Sequence, residues 1–369
     1  MSTQDTGARA TRTVEDTGYQ VVRDRLWGAV LDGDEYAAAT IVFAAVDDGM
    51  APEDVLLDVI APVQHRVGTE WAANRITVAQ EHAATAINDR VIAALAHHPQ
   101  SRRTPQAGRV TVACVDGEWH ALPARLLAET LRLRGWDVDF LGAQVPTPHL
   151  IAHLHQHGPD AVALSCMIPT RLPTAHAAIT ACQAAGVAVL AGGAAFGRDG
   201  RFARQFGADA WAPDARAAAD LLSRGLRPIQ IAATHQPIDD LPHLADQEYT
   251  MVRGNSVQLV KATVDELDQR YPAMRDYSEA QRQRTIEDIA HIVDFLATAL
   301  YTDDDELFAQ FMGWTADVLV ARGVPAASLI PALDSLAGQL PEYPRTQRLI
   351  EAARAALSQP VTADPPLPA

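Results

Sequence analysis

Cysteine is scarce in this chain, with Cys114, Cys166 and Cys182 the only three in 369 residues. Their number is odd and their spacing is not that of a metal site. Neither a disulfide framework nor a cysteine zinc cluster is therefore available, and a reducing cytoplasm is the expected setting. Basic residues are also short: 30 Lys and Arg stand against 46 Asp and Glu, a formal net charge of −16. So acidic a chain repels phosphate backbones, which argues against free DNA or RNA as a partner. Long apolar runs are missing, and the longest, around Val187 to Phe196, falls far short of the roughly 20 residues a membrane helix needs. Met1 to Thr13 is polar and lacks the apolar core of a signal peptide. A soluble intracellular protein with no membrane partner is expected. What the chain does have is 48% hydrophobic and 21% charged residues, enough for two or three packed domains.

Composition changes twice along the chain. Residues 1–20 read as a disordered N-terminus. From Val21 to His98, Ala, Val and Ile recur at helical spacing, with Gly or Pro only at Gly28, Gly33, Gly49, Pro52, Pro62 and Gly68. That pattern predicts four or five short helices in a bundle over residues 21–98. Pro99 to Gly108 has no apolar periodicity and reads as a linker. The pattern then turns to strand and helix in alternation over residues 109–232. Val110 to Val115, Trp136 to Leu141, Ala161 to Met167, Val187 to Leu190 and Ala208 to Ala212 are Val-rich apolar runs. Helical stretches separate them, at Pro123 to Arg134, Thr147 to Gln156, Ala175 to Ala185, Arg201 to Phe206 and after Pro213. Five such units predict a five-stranded, doubly wound parallel sheet of flavodoxin or Rossmann type. Thr147 followed by Pro148 suits an N-cap and a first helical position. Ligands of such sheets sit beyond the carboxyl ends of the strands, so the chemistry is expected in the loops after Val115, Leu141, Met167 and Leu190. Pro237 to Pro242 reads as a second linker. Residues 245–358 are again helical, with Ile286, Ile289, Val293, Leu296 and Leu300 on one face of a long helix from Ser278 to Tyr301, and residues 359–369 read as a disordered Pro-rich tail.

Two clusters carry chemistry. In VACVDGEWHALPARLL, the residues Asp116, Gly117, Glu118, Trp119 and His120 fall between the first strand and the helix opened by Pro123. A loop histidine at the carboxyl edge with a carboxylate two residues earlier suits metal ligation, because Glu118 can accept one imidazole N–H and leave the other nitrogen as donor. A locally hydrogen-bonded loop histidine is the bland alternative. The second cluster lies in RVGTEWAANRITVAQEHAAT. Thr77 to Gln80 form a T-x-x-Q capping box, so a helix starts at Val78 and carries Glu81 and His82 in its first turns, just after a helix that ends at Trp71. A bulky aromatic beside a helix N-terminus suits a ligand pocket, although Trp71 as core with Glu81 and His82 as a solvated pair is equally physical.

The two clusters together resemble known families. The loop after the first strand and the strands beyond it resemble the cobalamin-binding domain family, with its D-x-H-x-x-G, a serine after the third strand and a Gly-Gly pair after the fourth. Glu118 and His120 stand for the acid and the histidine, Ser165 for the serine, Gly192 and Gly193 for the pair, and Gly142 also fits. Glu118 in place of Asp and Pro123 in place of Gly are departures. The resemblance implies that His120 replaces the nucleotide base beneath cobalt and that the base lies in a slot lined by glycine backbone and the serine hydroxyl. It also implies that Asp116, Gly117, Val145 and Thr170 line the cofactor. Trp71, nine residues, then Glu81 and His82 resemble the W-x9-EH cap of the CarH-type photoreceptors. That implies adenosylcobalamin as cofactor, with Trp71 and Glu81 against the adenosyl group and His82 waiting to become the upper cobalt ligand after photolysis.

CarH-type repressors carry a helix-turn-helix before the cap, and Met1 to Gln20 is too short for one, so DNA-binding output in cis is not expected. The C-terminal helices instead resemble globin-like sensor modules, and the whole arrangement is similar to the photocobilins. That resemblance implies a linear tetrapyrrole such as biliverdin, held without a thioether because the region has no cysteine, with Tyr271, Arg275 and His291 among its contacts. His291 is off the apolar face, which speaks against haem. The reading is therefore a signalling photoreceptor and not an enzyme, acting on a protein partner and forming a homodimer. The competing reading is a corrinoid methyl carrier of a methyltransferase system, which would use His120 but has no need of Trp71 and His82. A scaffold with a relict site is a third.

Overall fold

The computed structural model describes residues 4–227, 236–270, 274 and 277–358. They form two compact units. One takes the chain up to Met167 and again from Ala178 through the end of the parallel sheet. The other takes Ile168–Ala177 and the helices that follow the sheet.

The first unit opens with α1 (Gln4–Leu31) and α2 (Glu35–Asp47). A short α3 (Pro52–Asp54) then runs through a π-helical turn at Val55–Ile60 into α4 (Ala61–Ala72), and α5 (Val78–Leu95) completes the bundle. Residues 4–20 are helical where disorder was expected. They contain no proline, and good helix formers outweigh Gly7 and Gly18, so the helix that buries Leu26 and Val30 extends backward. The wide turn has a local cause. Pro62 has no N–H to give the Asp58 carbonyl, and the Arg23 guanidinium donates to that carbonyl instead. Val42, Val46, Val59, Ile60, Val91 and Ile92 fill the bundle core.

The sheet follows as β1 (Arg109–Cys114), α6 (Leu122–Leu133), β2 (Asp137–Gly142), α7 (Thr147–His157), β3 (Ala161–Ser165), α8 (Leu172–Ala184), β4 (Ala188–Gly192), α9 (Arg201–Gln205), β5 (Ala210–Ala212) and α10 (Ala215–Ser223). All pairings are parallel and the strand order is β2-β1-β3-β4-β5. The order reverses between β1 and β3, which makes their carboxyl-end loops the switch point where such sheets hold ligands. The helix α7 starts one residue earlier than its sequence suggests. Pro146 is the N-cap, Thr147 is already helical, and the cap has no side-chain hydrogen bond.

Bundle and sheet share a seam in this unit. Leu122 and Leu126 of α6 belong to the bundle core. Arg134 grips Glu53 through two hydrogen bonds of 3.0 and 2.7 Å, and Arg216 bonds Asp54 and Asp58. Asp89 of α5 pairs with Arg125 of α6 at 3.5 Å. Ile92 and Leu95 line one cavity with Glu129 and Leu133. Higher numbers on α5 thus meet higher numbers on α6, so the two helices lie side by side and run the same way.

The second unit contains α11 (Glu248–Gly254), α12 (Ser256–Arg270), α13 (Glu279–Thr302), α14 (Asp305–Ala321), α15 (Ile330–Gln339) and α16 (Pro344–Ser358). Ser278 and Gln281 form the capping box of α13. Ile289, Val293, Leu296 and Leu300 are buried along it, while Ile286 is 38% exposed. Buried Glu248 accepts the backbone N–H groups of Arg345 and Thr346 at the start of α16. Arg345 in turn holds Asp246 and the Leu300 carbonyl. His176, fully buried in this unit, meets the Tyr301 hydroxyl and the Asp240 carboxylate at 3.0 Å each. Among the described residues no helix is long and apolar enough to cross a membrane.

Candidate functional site

The loop after β1 is organised around one fully buried carboxylate. Glu118 Oε1 accepts the backbone N–H of His120 at 2.9 Å and lies 2.6 Å from the same residue's Nδ1. Its Oε2 accepts the backbone N–H of Met167, beyond β3, at 2.7 Å. Two backbone donors already take this group as acceptor, so the imidazole proton sits on Nδ1 and Nε2 keeps its lone pair. His120 is partly exposed, with 21% of its side chain accessible, so that nitrogen has a route to a ligand. The Glu118 carbonyl also accepts from Gln144 N at 2.8 Å, which ties in the loop after β2. The acid that departs from the family's aspartate thus orients the imidazole and also spans to β3.

The floor of the site is a row of small residues. Cys114, Ser165 and Gly192 are register partners across β1, β3 and β4, with Ala212 of β5 beside Gly192. The two glycines differ. At Gly193, φ is 101° and a Cβ would lie 2.2 Å from the Cys166 carbonyl oxygen, so the fold itself demands glycine. At Gly192 a Cβ would meet only Ala212 O, at 3.7 Å. The protein's packing does not require glycine there, and its absent side chain leaves room at the carboxyl edge beside buried Ser165. Gly142, with φ 79°, ends β2, and half-buried Val145 lies in the loop beyond it. Gly117 turns the β1 loop with φ 75°, and Asp116 points into solvent. Burial and then the neighbouring Glu118 charge push the Cys114 thiol up to about 12.

The bundle carries the second cluster. Thr77 and Gln80 form the expected capping box, so α5 begins at Val78. Glu81 hydrogen-bonds His82 Nδ1 and accepts from the Thr85 hydroxyl at 3.0 Å. Thr85 accepts from Gln64 at 2.8 Å, and Gln64 accepts from buried Asn88 at 2.8 Å. This polar chain fixes Glu81 from below while His82 remains 64% exposed. Trp71, at the end of α4, is half-buried against the bundle core. His82 precedes Asp89 by seven residues on α5, His120 precedes Arg125 by five, and Asp89 pairs with Arg125. Parallel helices with that register put both histidines toward the same end of the unit, His82 roughly 10 Å along α5 from the ion pair at about 1.5 Å per residue and His120 in the loop just before α6.

Sequence reasoning placed Trp119 in the loop without a role and missed two further participants. Trp119, 56% exposed, lies against the His120 ring with centroids 3.8 Å apart. The Met167 amide anchors Glu118, and the Gln64–Thr85–Asn88 chain anchors Glu81. Trp119 was visible as an aromatic between the acid and the histidine; contacts made through long-range packing leave no such local trace. Thr170, in the turn Pro169–Arg171, groups with the other unit. Of the residues expected to meet a bilin, His291 is on the exposed side of α13, and Tyr271 and Arg275 lie outside the described residues.

Comparison with known proteins agrees with this geometry. Residues 22–96 and residues 108–221 each match the description of a B12 binding domain. The bundle and the sheet form a cobalamin-binding module. The HTH-type transcriptional repressor CarA of Myxococcus xanthus is 30% identical over 163 residues, 43% of this chain and 52% of that protein. The chain thus spans about half the length of the curated relative it matches. Among solved structures, the monomethylamine corrinoid protein of Methanosarcina barkeri shares 20% identity over 56% of this chain and 98% of its own, with a TM-score of 0.49. The methanol:cobalamin methyltransferase complex MtaBC from the same organism shares 21% identity over 56% of this chain and 81% of its own, with a TM-score of 0.31.

Proposed function

We propose that this protein is a light sensor that binds adenosylcobalamin between its helical bundle and its parallel sheet. The observation that carries the reading is a matched pair of oriented imidazoles, Glu118–His120 on the sheet and Glu81–His82 on the bundle, at one end of the same unit. Each histidine has its Nδ1 occupied by a carboxylate, which presents Nε2 outward as the free donor. A carrier that hands a methyl group to a partner enzyme needs the lower imidazole alone, with the opposite side open. Similarity to a regulatory protein over the matched region supports the sensor reading.

Bound adenosylcobalamin would supply a cobalt–carbon bond that visible light breaks. His120 Nε2 would offer the cofactor a nitrogen ligand, and Ser165, Gly192 and Gly193 would leave room for its nucleotide tail. Trp71 and Glu81 shape the pocket for the adenosyl group and exclude water from it. His82 would offer a further imidazole nitrogen from the bundle, which would join bundle to sheet and give the two-state element a switch requires. The helical second unit then passes the change to a protein partner. A linear tetrapyrrole such as biliverdin, held by the second unit, belongs to the same proposal; Phe295, Phe311 and Trp314 form an aromatic cluster there. Phe295 and Phe311 stack at 3.7 Å, and Trp314 lies 6.3 Å further on.

The test is reconstitution with adenosylcobalamin in the dark, followed by green light. An irreversible spectral change whose end state differs in His82→Ala supports the sensor. An identical end state in that variant removes His82, and a chain that takes up methylcobalamin but not adenosylcobalamin favours the methyl carrier. Adding biliverdin and scanning for a red absorption band tests the second chromophore.

A further inference from the structure

A second group of ligating side chains lies away from the imidazole pair, on the face of the sheet that α7 covers. His153 and His157 are four residues apart on α7, so both rings leave the same side of the helix, and they stack with centroids 4.1 Å apart. Asp139 of the edge strand β2 meets them. One ligand atom from each of the three lies within 4.8 Å of the others. His153 Nε2 and Asp139 Oδ2 are 3.3 Å apart. That separation is about the edge of a tetrahedron with metal–ligand bonds of 2.0–2.1 Å, which places neighbouring donors roughly 3.3 Å from each other.

Hydrogen bonding leaves this group unfinished. Asp139 Oδ2 and His153 Nε2 are both shielded from solvent, and neither makes a hydrogen bond. Thr111 is the register partner of Asp139 on β1, so the two side chains share a face of the sheet. Thr111 is fully buried, and its hydroxyl also has no hydrogen-bond partner. Asp139 Oδ2 and His153 Nε2 have only each other, at 3.3 Å and outside hydrogen-bond geometry, and Thr111 Oγ1 makes no hydrogen bond; a buried polar group left so costs up to about 1–3 kcal/mol. A cation at the cluster gives the carboxylate and imidazole among them a partner at once, with a coordinated water within the same polar patch. The histidines occupy the last turns of α7, where the helix dipole favours positive charge. The nearby Arg109 guanidinium is already neutralised by Asp137, at 2.7 and 2.9 Å.

We propose that Asp139, His153 and His157 form a divalent transition-metal site, with zinc the best match. Two imidazole nitrogens and one carboxylate oxygen exclude magnesium and calcium, which take oxygen ligands, and suit zinc with a fourth position open to water. The site ties the edge strand β2 to the helix that follows it, at the opposite end of α7 from the loop that carries Val145.

The experiment is zinc binding to the full-length chain without corrinoid, read by competition with a chromophoric zinc chelator. The expected result is one tight equivalent. It should be weakened at least about 100-fold in H153A, in H157A and in D139N, since even groups that merely orient ligands cost about 10–100-fold when lost. H155Q, which changes the exposed histidine between them, should keep the equivalent. Circular dichroism of each variant, and a zinc-dependent rise in Tm present in the unaltered chain and absent in the variants, separate loss of a ligand from loss of the fold. No stoichiometric zinc in the unaltered chain, or equal binding in the H153A/H157A double variant, would overturn the proposal. Neither result depends on whether a corrinoid binds at His120.

Discussion

Replacing Glu118 by Gln tests how the site is held, because the change keeps size and removes one acceptor. Glu118 now serves two opposed sets of donors: His120 N–H and Nδ1 on Oε1, and Met167 N–H on Oε2. An amide has a single oxygen. If that oxygen stays toward His120, the NH2 group faces the Met167 N–H and a buried donor is left unsatisfied. If it turns toward Met167, the NH2 group faces Nδ1, drives the imidazole proton to Nε2 and removes the lone pair a metal needs. Either orientation leaves one buried N–H without a partner, a loss of about 1–3 kcal/mol. The same change should weaken corrinoid binding about 10–100-fold, the usual effect of losing a group that orients a histidine ligand. Urea unfolding of the corrinoid-free chain reads the first number, and a corrinoid titration followed by absorbance reads the second. E118Q with unchanged unfolding midpoint and unchanged affinity would refute the argument that this carboxylate orients His120.

Further outcomes are expected from the same structure. G193A should fail to fold stably, because the backbone has φ 101° and the Cys166 carbonyl blocks the new methyl. G192A should instead unfold like the unaltered chain in urea and yet bind corrinoid less tightly, since its methyl occupies only the open edge. R345A should cost the second unit about 1–3 kcal/mol, chiefly by leaving the Leu300 carbonyl without its donor, because Asp246 is open to water and keeps the Glu248 N–H; chemical unfolding measures it. Arg345 also holds the Asp246 carboxyl below its usual range. That stability is present above the ordinary aspartate range and lost as pH falls below about 4, so R345A should flatten the acid limb of the stability profile. Burial is the leading cause that pushes the Cys114 and Cys182 thiols up to about 12 from 9.0. Neither should react with iodoacetamide at pH 8 until the chain unfolds. Because the unfolded thiols ionise first, their contribution should fade as pH climbs from about 9 toward 12.

Five parallel strands and the switch-point loops were legible from Val-rich runs alternating with helical stretches, because a parallel sheet buried on both faces needs continuous apolar strands. The capping box at Thr77 and Gln80 and that at Ser278 and Gln281 were equally local. Residues 4–20 misled because polar composition was weighed above helix propensity, although an apolar stripe beginning at Tyr19 and Val22 continues into the buried part of α1. The site divided in the same way. Glu118 and His120 sit two residues apart and their hydrogen bond could be anticipated. The Met167 amide that completes it is 49 residues away in sequence. The cluster of Asp139, His153 and His157 escaped notice because a pair at i and i+4 on a short helix means little until the edge strand supplies the third ligand.

The most direct measurement of the central claim is electron paramagnetic resonance of the chain loaded with cobalt(II) cobalamin, prepared with and without nitrogen-15 histidine. Ligation by the His120 imidazole predicts nitrogen splitting that changes with the label and disappears in His120→Ala. A splitting indifferent to the label, with the benzimidazole of the cofactor still on the metal, would contradict it.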